Sequence, residues 1–248
     1  MIMSNQIKLL ISPKSVTEAK TIVDAKDIEF IDCKNPKEGS LGANFPWIIK
    51  EMKNIIPKET NTLLSAAIGD FPNLPGTASL AALGAAVSGA DVIKVGLKGP
   101  KNKKEGKDLM AKVVKAVKNY RPQIMVVAAG YADQTRMESS PNFLDIPEIA
   151  AESEADIAML DTFIKDDKGL FDFLNVNQLK KFKKKALKLN LKIALAGKLK
   201  IEDIDKIKLI SPDIIGLRSA VCENFDRDKG TIKKELIERL KNKLNKNV

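Results

Sequence analysis

The stretch "TASLAALGAAVSGADVIKVGL", residues 77–97, holds one repeat of the pattern that decides the fold. A run of alanine, leucine and valine with helical character, "TASLAALGAAVSG", closes on glycine and leads at once into "DVIKVGL", a short apolar run of the kind that forms a buried strand. The same alternation extends in both directions. Strand-like runs fall at 7–12, 28–34, 62–70, 91–97, 123–131, 156–162, 192–197 and 213–219. Helical patterns follow at 15–25, 43–56, 77–89, 103–119, 146–154, 175–190, 201–210 and 231–245. Eight strand–helix units with no proline- or serine-rich linker predict one domain over 1–248, a single (β/α)8 TIM barrel, with a doubly wound open sheet as the competing fold. A barrel places its site at the C-terminal ends of the strands.

Composition narrows the function. Hydrophobic residues make up 44% of the 248 and charged residues 30%, enough for a sizeable core under a solvated exterior. No apolar run reaches the roughly 18 residues of a membrane span. The N-terminus "MIMSNQIKLLISPKS" lacks a positive region ahead of its apolar stretch, so no signal peptide is read. Two cysteines, Cys33 and Cys222, argue against a disulfide framework and for a reducing cytoplasm. The formal charge of +10 sits in lysine-rich segments that also carry apolar residues at helical spacing. They read as surface helices with lysine outward rather than as a nucleic-acid face, which the 5% aromatic content supports poorly. Histidine is absent, so a general base must be Lys, Asp, Glu, Tyr, Cys or water.

The strand ends are unusually polar. Asp32 and Lys34 end the second strand two residues apart and so share a face, with Cys33 on the opposite one. Asp70 ends the third strand, Lys94 stands between Ile93 and Val95 in the fourth, and Tyr131 and Asp133 end the fifth. Asp161 shares a face of the sixth with Ile157 and Met159, and Lys165 follows in the loop. Side chains in one barrel layer come from alternate strands, so Lys34, Lys94 and Asp161 are expected to meet at the mouth. Crowded amines repel one another and lose hydration, and both effects favour a neutral amine, the species that attacks a carbonyl to form a Schiff base. A protonated imine then acidifies the adjacent carbon, and a second lysine can carry the proton. This chemistry needs no metal or other cofactor.

Gly197 and Lys198 after the seventh strand, with Arg218 and Ser219 after the eighth, occupy the two loops where barrels often bind phosphate. Lys37 and the amides of "KNPKEGSLGAN" offer further contacts. The residues by themselves describe a Schiff-base enzyme acting on a small phosphorylated carbonyl compound. A homo-oligomer is compatible with the sequence.

Beyond these readings, the chain resembles the (5-formylfuran-3-yl)methyl phosphate synthase family of methanofuran biosynthesis. Long stretches carry the resemblance: "DCKNPKEGSLGANFPWIIK", "GTASLAALGAAVSGADVIKVGL", "VVAAGYAD", "AMLDTFIKDDKGLFDF" and "ALAG". It implies a barrel similar to class I aldolases. It also implies condensation of two glyceraldehyde 3-phosphate molecules to a furan aldehyde phosphate, with loss of phosphate and water. In that family's pattern the Schiff-base lysine falls on Lys34 and the proton-accepting lysine on Lys94. The supporting acid falls on Asp32, and a further acid and lysine on Asp161 and Lys165. The chain departs from the pattern after the eighth strand, where "LRSAVCENFDR" puts Ser219 in place of a glycine and "ENF" in place of a glycine-rich segment. The segment "MESSPNFLDIP" is individual to this chain. The alternatives are a simpler Schiff-base aldolase of sugar phosphates and a basic nucleic-acid-binding barrel.

Overall fold

The computed structural model describes residues 6–70 and 72–246, so the reading of the N-terminus lies outside the described residues where it concerns 1–5. Strands β1 (Lys8–Ile11), β2 (Phe30–Cys33), β3 (Leu63–Asp70), β4 (Val92–Gly96), β5 (Met125–Tyr131), β6 (Ile157–Asp161), β7 (Lys192–Leu195) and β8 (Ile214–Leu217) pair in parallel and in sequence order. β8 returns to β1 and closes the barrel. The fold expected from the alternation is the fold found. The strands are almost continuously apolar because both of their faces are covered. Leu10, Phe30, Val92, Val127, Ile157, Met159 and Ile214 fill the barrel interior. Ile11, Ile31, Cys33, Leu64, Ile93 and Leu160 face the helices.

Helices α1 (Val16–Asp24), α2 (Pro46–Asn54), α3 (Pro75–Val87), α4 (Lys103–Tyr120), α5 (Ile146–Glu152), α6 (Leu170–Phe173), α7 (Val176–Lys188), α8 (Ile204–Ile210) and α9 (Lys234–Asn245) surround the strands. Ser15, Asn102 and Asn175 cap α1, α4 and α7 by accepting a first-turn amide N–H. In α7, Leu179, Phe182 and Ala186 are buried while Lys180, Lys181 and Lys184 are exposed, the arrangement expected of a solvated lysine face. No helix among the described residues is long and apolar enough to cross a membrane.

Several boundaries differ from the sequence reading. β2 stops at Cys33, because Pro36 cannot donate to a ladder and the Asn35 side chain caps the turn at Pro36–Glu38. The eighth helical pattern begins only at Lys234, since Ile232 pairs instead with Cys222. The short α6 gave no periodic signal. Lys34, Gly197, Lys198, Arg218 and Ser219 therefore lie just past their strands, in the loops that form the mouth.

The loop after β2 folds back over that mouth. Leu41 is fully buried in the interior cluster, and its N–H donates to Asp70 Oδ2 at 3.1 Å. Ser40 Oγ donates to the carbonyl of Thr162 at 2.9 Å. Tyr131 Oη donates to the other Asp70 oxygen, and a side chain at Gly96 would collide with both partners. The mouth is thus plugged near β3 and open toward β1, β2 and β6–β8.

Candidate active site

The open part of the mouth is a cleft continuous with solvent. Ser12, Asp32, Lys34, Lys94, Asp161 and Lys165 line one part of it. Gly197, Lys198, Arg218, Ser219 and Arg227 line another. Of the residues expected to react or to bind phosphate, every one except Lys37 borders this one cavity. Asp70, Tyr131 and Asp133 do not: the first two lock the plugged side, and Asp133 accepts the N–H groups of Phe163 at 2.7 Å and Ile164 at 3.0 Å, shaping the loop after β6.

The interior parity of each strand places the charges. Lys94 Nζ lies 2.6 Å from Asp32 Oδ1, with side chains 1% and 0% exposed. Ser12 Oγ donates to Asp32 Oδ2 at 2.8 Å, and Lys34 Nζ stands 3.9 Å from the same oxygen. On the opposite wall Lys165 Nζ donates to Asp161 Oδ1 at 2.8 Å, and the Thr162 N–H donates to it at 2.7 Å. Lys34 alone of these amines has no carboxylate at hydrogen-bonding distance, its nearest being Asp32 at 3.9 Å.

That isolation has an electrostatic consequence. Burial pushes the Lys34 amine down to about 8; Asp32 and Asp161 oppose the shift, and Lys94 and Lys165 add to it. Lost hydration is the larger influence and amine–amine repulsion the smaller. At pH 7 a group titrating near 8 is neutral roughly 200-fold more often than an ordinary lysine. Burial would raise Asp32, but the Lys94 and Lys34 charges and two hydrogen bonds outweigh it and hold the carboxyl below its usual range. Asp161 is likewise held at about 2: burial opposes ionisation, and Lys165 and Lys34 overcome it.

The phosphate-facing expectations meet a mixed arrangement. Gly197 and Lys198 both have positive φ, +104° and +49°, which turns the loop backbone along the cavity. A Cβ on Gly197 would sit 3.0 Å from Thr162 Cγ2, so this position favours glycine twice over. Lys198 Nζ points away and donates to the Asp166 carbonyl at 2.8 Å. Arg218 is only 8% exposed and donates to Glu18 Oε2 and Oε1 at 2.8 and 3.3 Å, to the Ser12 carbonyl at 2.9 Å and to the Arg227 carbonyl at 2.8 Å. Ser12 and Arg227 were not singled out in the sequence. Ser12 was legible, since it shares parity with Leu10; Arg227, in the long segment after β8, was not.

Among the described residues, no group of three or more Asp, Glu, Cys or His side chains is placed to hold a metal ion. Lysine amines paired with carboxylates can add to a carbonyl, shuttle protons and attract an anion.

Fold and site together define a (β/α)8 barrel whose mouth carries a half-buried lysine with a lowered pKa. Solved structures agree on the fold. A 3-hexulose-6-phosphate synthase superposes with a TM-score of 0.65 at 16% identity, covering 96% of this chain and 99% of that one. The orotidine 5'-monophosphate decarboxylase of Methanocaldococcus jannaschii gives 0.63 at 17% identity, over 96% and 99%. At that identity the likeness is one of architecture alone. The 4-HFC-P synthase family matches residues 9–241, and the chain belongs to that family. The (5-formylfuran-3-yl)methyl phosphate synthase of Methanococcus aeolicus is 55% identical over 94% of this chain and 97% of its own length. Those of M. jannaschii and Methanosarcina mazei are 51% and 47% identical over the same shares.

Proposed function

We propose that this chain condenses two molecules of glyceraldehyde 3-phosphate through a Schiff base on Lys34, giving 4-(hydroxymethyl)-2-furancarboxaldehyde phosphate with loss of phosphate and water. The names of its relatives support the product. The observation that carries the mechanism is the Lys34 amine, pushed down to about 8 at the edge of an open cavity.

Neutral Lys34 adds to the aldehyde of one triose phosphate, and loss of water leaves an imine. Asp32 and Asp161 flank the amine and stabilise the iminium charge. Lys94 hands its proton to the paired Asp32 carboxylate and, as the neutral amine, takes one from the carbon beside the imine, which makes that carbon the nucleophile toward the second aldehyde. Asp161 and Lys165 assist the proton transfers of elimination, ring closure and dehydration. The backbone around Gly197, Lys198 and Ser219 borders the phosphate, and Arg218 fixes the loop behind it. In this reading the enzyme is a carbon–oxygen lyase acting on a phosphate, working in the cytoplasm in methanofuran biosynthesis.

The test is borohydride reduction in the presence of glyceraldehyde 3-phosphate. A mass increment is expected on the peptide containing Lys34, and an increment elsewhere overturns the assignment. Growth of near-ultraviolet absorbance from glyceraldehyde 3-phosphate alone distinguishes a furan aldehyde from a simple aldol product, which does not absorb there.

A further inference from the structure

Four cationic side chains stand along the part of the cavity formed by the loops after β6, β7 and β8: Lys165, Lys198, Arg218 and Arg227. Three are already bound within the protein. Lys165 donates to Asp161, Lys198 to the Asp166 carbonyl and Asp167, and Arg218 to the buried carboxylate of Glu18 and two carbonyls. Arg227 differs. Among the described residues its guanidinium donates no hydrogen bond, and its one carboxylate neighbour is the exposed Asp228, 3.6 Å from Nε.

The backbone beneath Arg227 is nonetheless firmly held. Arg218 Nε donates to its carbonyl at 2.8 Å, so one arginine pins the other in place. Asp226 Oδ1 accepts the N–H groups of Asp228 and Lys229 at 2.8 and 3.0 Å and closes the turn. Lys14 Nζ donates to the Asp228 carbonyl at 3.2 Å. A guanidinium with unused donors, on a fixed turn, at the wall of a cavity that also contains the reactive amine, is suited to bidentate recognition of a phosphate.

The geometry points to Arg227 as the side chain that grips the substrate's phosphate, with Arg218 its positioning residue rather than the phosphate ligand. This rests on the reading of the substrate as a phosphorylated aldehyde and names the group that selects it. The Glu18–Arg218 pair then holds the loop, and the phosphate neutralises the cation left over.

Arg227→Ala, Arg227→Lys and Arg218→Ala separate the roles. Inorganic phosphate binding is measured by calorimetry, and imine trapping at Lys34 is compared for glyceraldehyde 3-phosphate and unphosphorylated glyceraldehyde. In Arg227→Ala, phosphate affinity and the preference for the phosphorylated aldehyde are both expected to fall roughly 10- to 100-fold, with partial rescue in Arg227→Lys and an unchanged Tm. Arg218→Ala is expected to lower the Tm. Phosphate affinity and aldehyde preference within about twofold of the parent in Arg227→Ala overturn the assignment. So does an equal loss with both aldehydes, which would mean that Arg227 acts on Lys34 and not on phosphate. Failure of the parent protein to trap either aldehyde counts against the Schiff base alone, because the phosphate measurement judges Arg227 independently.

Discussion

Lys94 Nζ and Asp32 Oδ1 lie 2.6 Å apart inside the barrel, where neither side chain has appreciable contact with water. Breaking such a pair leaves a buried charge unmatched, which typically destabilises by about 3–5 kcal/mol. Lys94→Met is therefore expected to lower stability by that order in denaturant titration. Adding Asp32→Asn removes the stranded carboxylate and recovers most of the loss. A double variant no more stable than the single one contradicts the pairing.

The neighbouring amine predicts the opposite sign. Lys34 titrates near 8 when folded against an ordinary 10.5, so below pH 8 its charge opposes folding by an amount on the order of a few kcal/mol. Between 8 and 10.5 the unfolded chain binds the extra proton, and stability rises with pH through that window. Lys34→Met keeps the length of the stem without the charge. It is expected to melt several degrees higher than the parent at pH 7, with the gap closing as pH approaches about 10. A lower Tm at neutral pH would show that the amine is not desolvated.

Imine formation should follow the same titration. Trapping of glyceraldehyde 3-phosphate at Lys34 is expected to accelerate with pH and level off above about 8. Asp161 raises the Lys34 value and also holds the Lys165 charge, so Asp161→Asn removes one attraction and frees one repulsion. Both act in one direction, and the midpoint should move below that of the parent. A midpoint that stays in place or rises rules out Asp161 as an electrostatic partner.

Two glycines give a stability contrast. At Gly96 an added methyl group would run into Asp70 and the Tyr131 hydroxyl, which anchor the plugged side of the mouth. Gly96→Ala is expected to destabilise by about 1–3 kcal/mol and to speed amide exchange in the loop carrying Leu41. Gly84, within α3, has open space where a Cβ would go. Gly84→Ala should stabilise by roughly 0.5–1 kcal/mol. Equal effects at the two positions would contradict the packing.

Much of the fold and half of the site are readable from local pattern alone. A parallel barrel demands apolar strands covered on both faces, and alternating helices leave few other ways to bury them. Parity along a strand places Asp32 and Lys94 on the inner face because side chains alternate with period two. Ser12 obeys the same rule and was missed only because a serine at a strand end carries little signal. The same parity brings Asp161 to the mouth, and Lys34 one step past its strand, while Lys165 is placed by its position in the loop and by the family resemblance.

What tertiary structure decided is which charges are already matched. Arg218 looks from the sequence like a phosphate ligand, yet its partner Glu18 lies 200 residues away, in a helix that the closing of β8 onto β1 brings alongside. Arg227 acquires its place from a hydrogen bond between that arginine and its own carbonyl, and Leu41 becomes a plug only when Asp70 takes its N–H. Local sequence sets which groups are present and the direction each strand presents them. Partnership between charges depends on distance across the chain closure, and no spacing along the sequence encodes it.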